Sequence, residues 1–405
     1  MKRLGILLLC FLVSMLAGGC WNQTELNRLG IVSAVAYDLD EANQWTVTYQ
    51  VIIPRTSQGA SGGGGSEAPV TVFSSKGRTI GEASQKKDFE TPRRLFFAHT
   101  RVIILGRRAA TYGVDQILDT YLRSNETREN AYILVTEGQG QDVLEVLTTM
   151  DPVPGILISS LLSGQGGRQS NLAPSRLHEF ISSVTNPSQS ATLSEIKVSG
   201  VQENQKSLDA LKKTRSSAVL KLSRIGVFKQ NRFTGWLSLK ESFGIAWMTN
   251  RMKNTIVTFP CKGDGADGQL SSFFVESSRT KLKPSLSNGQ LTMSVEIEAK
   301  GSLYETPCSL DLKKPETIKE LNGYIQQKIK ADVEQSYRAV AGMQADVLGF
   351  GDAFHRKYPQ EWKQLGKSWE QEFAKIKLDV GVRVAIRRTG MINDSFSKIS
   401  ASVND

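Results

Sequence analysis

Histidine and cysteine are scarce in this sequence, whose 405 residues include only three histidines and four cysteines. None of the histidines (His99, His178 and His355) lies three or four residues from another metal-ligand side chain on a predicted helix face, so we expect no metal site. No Gly-x-Ser-x-Gly motif is present, and no cysteine has a histidine partner in its sequence context. The sequence therefore predicts a protein that is not an enzyme and needs no cofactor.

Long apolar runs are equally rare, and the one at residues 4–16 is too short to span a bilayer, which takes about twenty residues. Two basic residues precede it and small residues follow it from Ala17, as in an export signal. Because the small residues stop directly at Cys20, we predict a bacterial lipoprotein signal over residues 1–19, with lipid attached to the Cys20 thiol. The alternative is a freely secreted protein with a chance cysteine, and Ala17 stands where such signals usually have leucine.

Acidic residues are outnumbered by basic ones, 40 against 50, and loss of the two basic signal residues leaves 48 − 40 = +8. Outside the cell this balance favours contact with anionic lipid or wall polymer. The basic pairs are scattered and have no aromatic stacking platform between them, so no nucleic acid binding is expected. These pairs are Lys86 with Lys87, Arg93 with Arg94, Arg107 with Arg108, and Arg387 with Arg388.

Two cysteines, Cys261 and Cys308, remain after cleavage of the signal and modification of Cys20. An extracytoplasmic protein can form a disulfide between them. They could also be two separate core residues.

Glycine is concentrated at residues 57–66, but no Lys-Ser or Lys-Thr pair follows, so this segment is predicted to be a flexible loop and not a phosphate-binding loop. It lies in a predicted N-terminal α/β domain, residues 20–158, with a hairpin over 31–53 and a central strand over 95–105. Residues 159–216 are predicted to be a second small lobe or a connecting region.

The C-terminal α+β domain is predicted over residues 217–400. Apolar residues spaced three and four apart indicate one long helix over 315–348 with Gly349 as its C-cap. Alternation over residues 376–386 indicates a last strand with one apolar face. The predicted fold class is therefore α+β, a mixed α/β multi-domain protein whose C-terminal antiparallel sheet packs against a long helix.

Four tryptophans, Trp236, Trp247, Trp362 and Trp369, have two interpretations. They can be core residues, or they can form a surface for a partner, because aromatic residues concentrate at interface hot spots. Trp362 and Trp369 are seven residues apart in a helical region and therefore share a face.

An ordered set of motifs extends along nearly the whole chain: residues 20–27, 93–100, Leu122-Arg123 with Arg128, residues 226–228 leading into 235–237, 244–247 and 346–351, Trp362, Trp369 and residues 387–390. In this order the motifs resemble the C-subunit lipoproteins of bacterial spore nutrient germinant receptors, the Ger(x)C family. Asn22 stands where the family has Asp, residues 124–126 replace its Asp-Pro-Glu, and the glycine loop looks longer than is typical.

The resemblance implies a three-domain mixed α/β protein tethered to the outer face of the spore inner membrane. It also implies partners, a partly soluble A subunit and a multi-spanning B subunit, with which the chain turns nutrients into a germination signal. Two other functional classes make different demands on the fold. A solute-binding lipoprotein of a transporter would need two doubly wound parallel lobes, and a wall-active hydrolase would need paired carboxylates or a metal site.

Overall fold

The computed structural model describes residues 28–53, 68–124, 126–163, 174–260 and 269–390. In the first part of the chain the strands are β1 Leu29–Leu39, β2 Trp45–Ile52, β3 Val70–Gly77, β4 Arg94–Phe96, β5 Val102–Gly106, β6 Tyr132–Thr136, β7 Ser175–Arg176, β8 Ala191–Gly200, β9 Ala218–Lys229 and β10 Arg232–Leu237. The helices between them are α1 Ile80–Lys86, α2 Arg107–Tyr112, α3 Asp115–Arg123, α4 Gly140–Glu145, α5 Pro154–Leu162 and α6 Leu177–Thr185.

These ten strands form one sheet in the order β10-β9-β8-β6-β5-β1-β2-β3, with β4 beside β1 and β7 beside β6. The central strands β1, β5 and β6 run parallel, and hairpins extend the sheet at both ends. Every residue of β5 and β6 is buried, because helices cover both faces of the sheet. Ile103 contributes to the core on one face and Ile104 to the core on the other, as the two-residue period of a strand requires.

The second part of the chain contains a four-stranded sheet and five helices. The elements are α7 Leu239–Met248, β11 Thr255–Pro260, β12 Leu270–Ser287, β13 Gln290–Glu305, α8 Pro315–Gly342, α9 Phe350–Lys357, α10 Pro359–Leu365, α11 Trp369–Ala374 and β14 Lys377–Arg388. The sheet order is β11-β12-β13-β14. The long helix α8 buries one face, including Ile325, Ile329 and Val333, in the core of this half. The predicted mixed fold with a long helix on the C-terminal sheet is confirmed, with the added detail that β14 runs parallel to β13.

The central strand predicted over residues 95–105 is wrong in one respect, because it consists of two strands. β4 pairs with the start of β1 and β5 with a later part of the same edge. Between these two pairings, residues 97–101 lie opposite only residues 32–33 of β1. The five residues therefore loop out in a turn, where the Thr100 amide donates to the Phe97 carbonyl at 2.9 Å. His99, which falls within the apolar strand predicted over residues 95–105, is exposed in this turn and contacts the ring of Phe96.

The long helix is shorter than predicted and does not end at Gly349. It ends at Gly342 with the Gln344 amide donating to the Ala341 carbonyl and the Ala345 amide to the Val340 carbonyl. This pattern is a Schellman motif, which closes a helix by satisfying its last carbonyls. Gly349, at φ +74°, instead caps the start of α9.

The predicted boundary at residue 217 falls just before β9, and β9 belongs to the first sheet. Residues 159–216, predicted to be a small lobe or a connection, supply β7 and β8 to that same sheet. The reason is that β8 carries apolar residues, such as Leu193 and Ile196, that complete the cores on its two faces. The division of the chain into domains stays a prediction.

Candidate functional site

The two halves of the protein meet along the β9–β10 hairpin. Its side chains alternate between two cores: Ile225 and Val227 face the core of the second half, while Phe228 and Phe233 pack in the core of the first. One hairpin therefore belongs to both halves. Because a strand points successive side chains to opposite faces, the part of β9 that serves both cores, residues 225–228, is buried without interruption.

Asp346 organises the other side of this junction. Its Oδ1 accepts hydrogen bonds from the Leu348 and Phe350 amides, both at 3.1 Å, and its Oδ2 accepts from the Gly351 amide at 2.6 Å and from Trp369 Nε1 at 3.0 Å. The side chain thus caps α9 and ties it to α11. Burial raises the pKa of Asp346 to about 6, although the four hydrogen bonds act in the opposite direction.

Gly351 permits a close approach between the segment before β8 and the second half. A Cβ at this position would lie 2.3 Å from the Ser188 carbonyl oxygen and 2.7 Å from Trp369 Nε1. Beside it, the Ser190 amide donates to the Asp346 carbonyl at 2.8 Å. The motif at residues 346–351 is therefore a structural joint between the segment that precedes β8 and the helices of the second half.

A groove of about 490 Å³ opens beside this joint. Its lining is mainly polar and uncharged, and includes five side-chain amides, those of Asn186, Gln189, Gln230, Gln344 and Gln371. One wall carries the ion pair of Lys229 with Glu370, whose Nζ and Oε2 atoms are 2.7 Å apart. Chemically, the groove can exchange hydrogen bonds with a polar ligand or a polar polypeptide segment. The described residues that line it include no cysteine or histidine that could act as a nucleophile or base.

Two of these glutamines, Gln230 and Gln344, have left-handed backbone conformations, with φ of +55° and +52°. Gln344 occupies the C′ position of the Schellman motif, where glycine is usual because it has no Cβ to clash. Both residues thus hold a strained backbone while their side chains line the same groove.

We expect Gln344→Gly to stabilise the protein by about 1 kcal/mol, because glycine adopts a positive φ without strain. Urea denaturation of the purified protein measures this change. Gln189→Gly is the matched control: it removes another groove glutamine whose φ is not positive, and it should destabilise the protein. If Gln344→Gly is less stable than the parent, the side chain contributes more than the strain costs.

A second polar cluster lies at the carboxyl ends of the central strands. Glu195 is fully buried. Its carboxylate accepts hydrogen bonds from Arg224 Nε at 2.8 Å and from Arg224 Nη2 at 2.6 Å. Arg224 also donates to Glu137 at 2.9 Å and lies over the ring of Trp236, 4.3 Å from its centroid. Burial opposes ionisation of Glu137, but Arg107 and Arg224 outweigh it and lower its pKa. Sequence reasoning missed this cluster because its members are far apart along the chain.

The four tryptophans occupy different environments. Trp247 is fully buried and Trp369 is 3% exposed, so both are core residues and cannot present a partner surface in this structure. Trp236 and Trp362 are half-buried and remain candidates for partner contact. The structure brings Trp362 and Trp369 together with ring centroids 4.9 Å apart, while Trp236 and Trp247 pack in different cores.

The remaining predicted site residues lie mostly outside the described ranges. Cys20 with its signal peptide, Cys261 and the loop at residues 57–66 are among them. Cys308 is buried and disulfide-bonded, and its pairing with Cys261 stays a prediction. Within the described ranges, no three His, Cys, Asp or Glu side chains are placed to hold a metal ion. No helix in those ranges is both long enough and apolar enough to cross a membrane.

Comparison with known proteins covers both halves of the chain. The family model of the spore germination protein N-terminal domain matches residues 22–198, and the one described as spore germination B3/GerAC like, C-terminal, matches residues 223–390. Among relatives from Bacillus subtilis (strain 168), spore germination protein KC is 25% identical over 382 residues, covering 93% of each chain. The putative spore germination protein YfkR is 27% identical over 395 residues, covering 96% of this chain and 97% of its own.

A solved structure shares the fold. The crystal structure of the GerBC protein superposes with a TM-score of 0.55 at 20% identity, covering 87% of this chain and 96% of that one. The matches extend through both halves in the same order as the motifs. The chain therefore belongs to the Ger(x)C family of spore germination proteins.

Proposed function

We propose that this chain is the lipid-anchored C subunit of a spore germinant receptor. Lipid on Cys20 holds it at the outer face of the spore inner membrane, where it associates with the A and B subunits and acts without catalysis of its own. The observation that carries this proposal is the match of both halves to spore germination families over nearly the whole chain. The two halves are tightly joined through the β9–β10 hairpin, which suits a subunit that links one partner to another.

The alternative, a solute-binding lipoprotein of a transporter, is supported only by the polar groove between the two halves. Such a protein would need two doubly wound parallel lobes. The second half instead has an antiparallel sheet with one added parallel strand. We therefore favour the receptor subunit.

Cys20→Ala, expressed in the spore-forming host, tests the anchor. We expect the variant to leave the spore membrane fraction and the nutrient response to be lost, because one thiol carries all of the lipid. Cys10→Ala is the matched control, since it removes a cysteine of the signal that is not the lipid acceptor. Membrane retention of the Cys20→Ala variant would show that the anchor is elsewhere.

Co-purification tests the assembly. The tagged wild-type chain is purified from detergent-solubilised spore membranes, and mass spectrometry identifies what accompanies it. A multi-spanning membrane protein together with a second, partly soluble subunit is the expected result. Recovery of the chain alone, under conditions that preserve other membrane complexes, would contradict membership of a receptor.

A further inference from the structure

We propose that one end of the first half rests on an anionic lipid surface. This end, called here the basic end, consists of the described residues of the segments 86–94 and 122–128. The proposal deepens the proposed function, because it says which face of the anchored subunit meets the membrane.

The basic end lies where the described chain begins. β4 starts at Arg94, which pairs in register with Leu29 at the start of β1. Arg94 Nη2 lies 2.5 Å from Glu126 Oε1, and this contact brings the two segments of the basic end together. Only seven residues lie between Cys20 and Arg28, so the eight Cα-to-Cα steps reach at most about 29 Å in an extended chain. The proposed anchor therefore keeps this end close to the bilayer.

The basic end carries an exposed apolar side chain in a segment whose net charge is positive. Phe89 is 86% exposed at the end of a short 3-10 turn over Lys87–Phe89, and Leu122 is 57% exposed at the end of α3. The segments contain six basic and three acidic side chains, so 6 − 3 = +3, and the pairing of Lys86 with Glu82 and of Arg123 with Asp119 brings the surface to 6 − 5 = +1. Lys87 pairs with Asp88 and Arg94 with Glu126, which leaves Arg93 and Arg128 in no ion pair among the described residues. The basic ones are Lys86, Lys87, Arg93, Arg94, Arg123 and Arg128, and the acidic ones are Asp88, Glu90 and Glu126.

This combination fits a lipid interface. An exposed phenylalanine can enter the boundary between headgroups and acyl chains, while lysine and arginine interact with lipid phosphates. One exposed aromatic residue alone is ordinary on a protein surface. Here its immediate neighbours Asp88 and Glu90 are acidic, but basic pairs lie beyond them on both sides in the sequence, Lys86 with Lys87 and Arg93 with Arg94. The segment leads into β4, which lies beside the start of β1.

Vesicle sedimentation tests the proposal with the mature chain from residue 20 carrying Cys20→Ala, so that no lipid contributes. We expect this protein to sediment with phosphatidylcholine vesicles that contain phosphatidylglycerol, and not with phosphatidylcholine alone. Arg93→Glu and Phe89→Ser should each weaken binding about tenfold, and added salt should weaken it further. Circular dichroism checks that each variant is folded.

Two substitutions at other exposed sites serve as matched controls. Arg387→Glu makes the same charge change on β14, and Met150→Ser removes a 95% exposed apolar side chain from another loop. Both should bind vesicles like the parent. No binding of the parent to anionic vesicles, or equal loss in variants and controls, would overturn the proposal.

The result is separable from the test of the receptor role, because the vesicle assay contains neither lipid anchor nor partner subunits. If Arg93→Glu and Phe89→Ser disrupt co-purification with membrane subunits while vesicle binding is unchanged, the basic end is a protein interface and the lipid proposal fails. If co-purification fails for the wild-type chain but vesicle binding behaves as described, the receptor assignment fails alone.

Discussion

Asp346→Ala is expected to destabilise the folded protein by about 3–5 kcal/mol. The substitution leaves three backbone amides and the Trp369 indole N–H without their acceptor in a buried site, and each buried, unsatisfied donor costs about 1–3 kcal/mol before water or local rearrangement compensates. Because the same side chain caps α9 and holds α11, the loss should also loosen the junction between the halves.

Urea denaturation followed by tryptophan fluorescence measures this effect. Trp369→Phe is a milder substitution at the same site, because it removes a single donor and keeps most of the ring. We expect it to destabilise the protein by about 1–2 kcal/mol. Asp379→Ala, on the exposed face of β14, is the control and should lie within about 0.5 kcal/mol of the parent. If Asp346→Ala is as stable as this control, Asp346 does not organise the joint.

Arg224→Ala is expected to cost about 3–5 kcal/mol, because it leaves the fully buried carboxylate of Glu195 without its cation. It also removes the guanidinium that lies over Trp236. Replacing both partners with apolar or neutral residues, as in Glu195→Gln with Arg224→Met, should recover much of the loss. The reason is that the penalty comes mainly from an unpaired buried charge.

An exposed ion pair provides the comparison. Arg383 and Glu298 form a similar contact at 2.9 Å, but their side chains are 74% and 40% exposed. Arg383→Ala should therefore change the free energy of unfolding by at most about 1 kcal/mol. An Arg224→Ala variant no less stable than Arg383→Ala would show that burial of Glu195 does not control the strength of this pair.

Much of the architecture could be predicted from the sequence because local periodicity reflects burial. The alternation in β14 and the three-and-four spacing in α8 arise from one face being buried. In β2 both faces are buried, and polar side chains of its second face form hydrogen bonds inside the protein, Thr48 with Ser74 and Gln50 with the Leu144 carbonyl. The ends of helices and strands are harder to predict, because they depend on side chains outside the helix or strand. For α8 the deciding interactions are the Schellman turn at Gln344 and the hydrogen bonds to Asp346, neither of which alters the apolar spacing.

The candidate site was less predictable. The motif at residues 346–351 and Trp369 were both singled out from the sequence, but nothing in it indicated that Asp346 bonds the indole of Trp369, 23 residues away. The pair of Glu195 and Arg224 gave no signal, because isolated charged residues in a sequence look like surface residues. The left-handed conformations of Gln230 and Gln344 carried no signal either, since glutamine is not typical of such positions.

The sequence by itself determined the family, the mixed α/β class and the predicted site of lipid attachment, since these depend on ordered motifs and on local hydrophobic patterns. How the halves join, which tryptophans are buried, and that the segment leading to Arg94 lies beside the start of β1 became clear only from the tertiary structure. The physical reason is that packing and charge pairing depend on distances between residues that are remote along the chain, and such distances leave no periodic trace in the sequence.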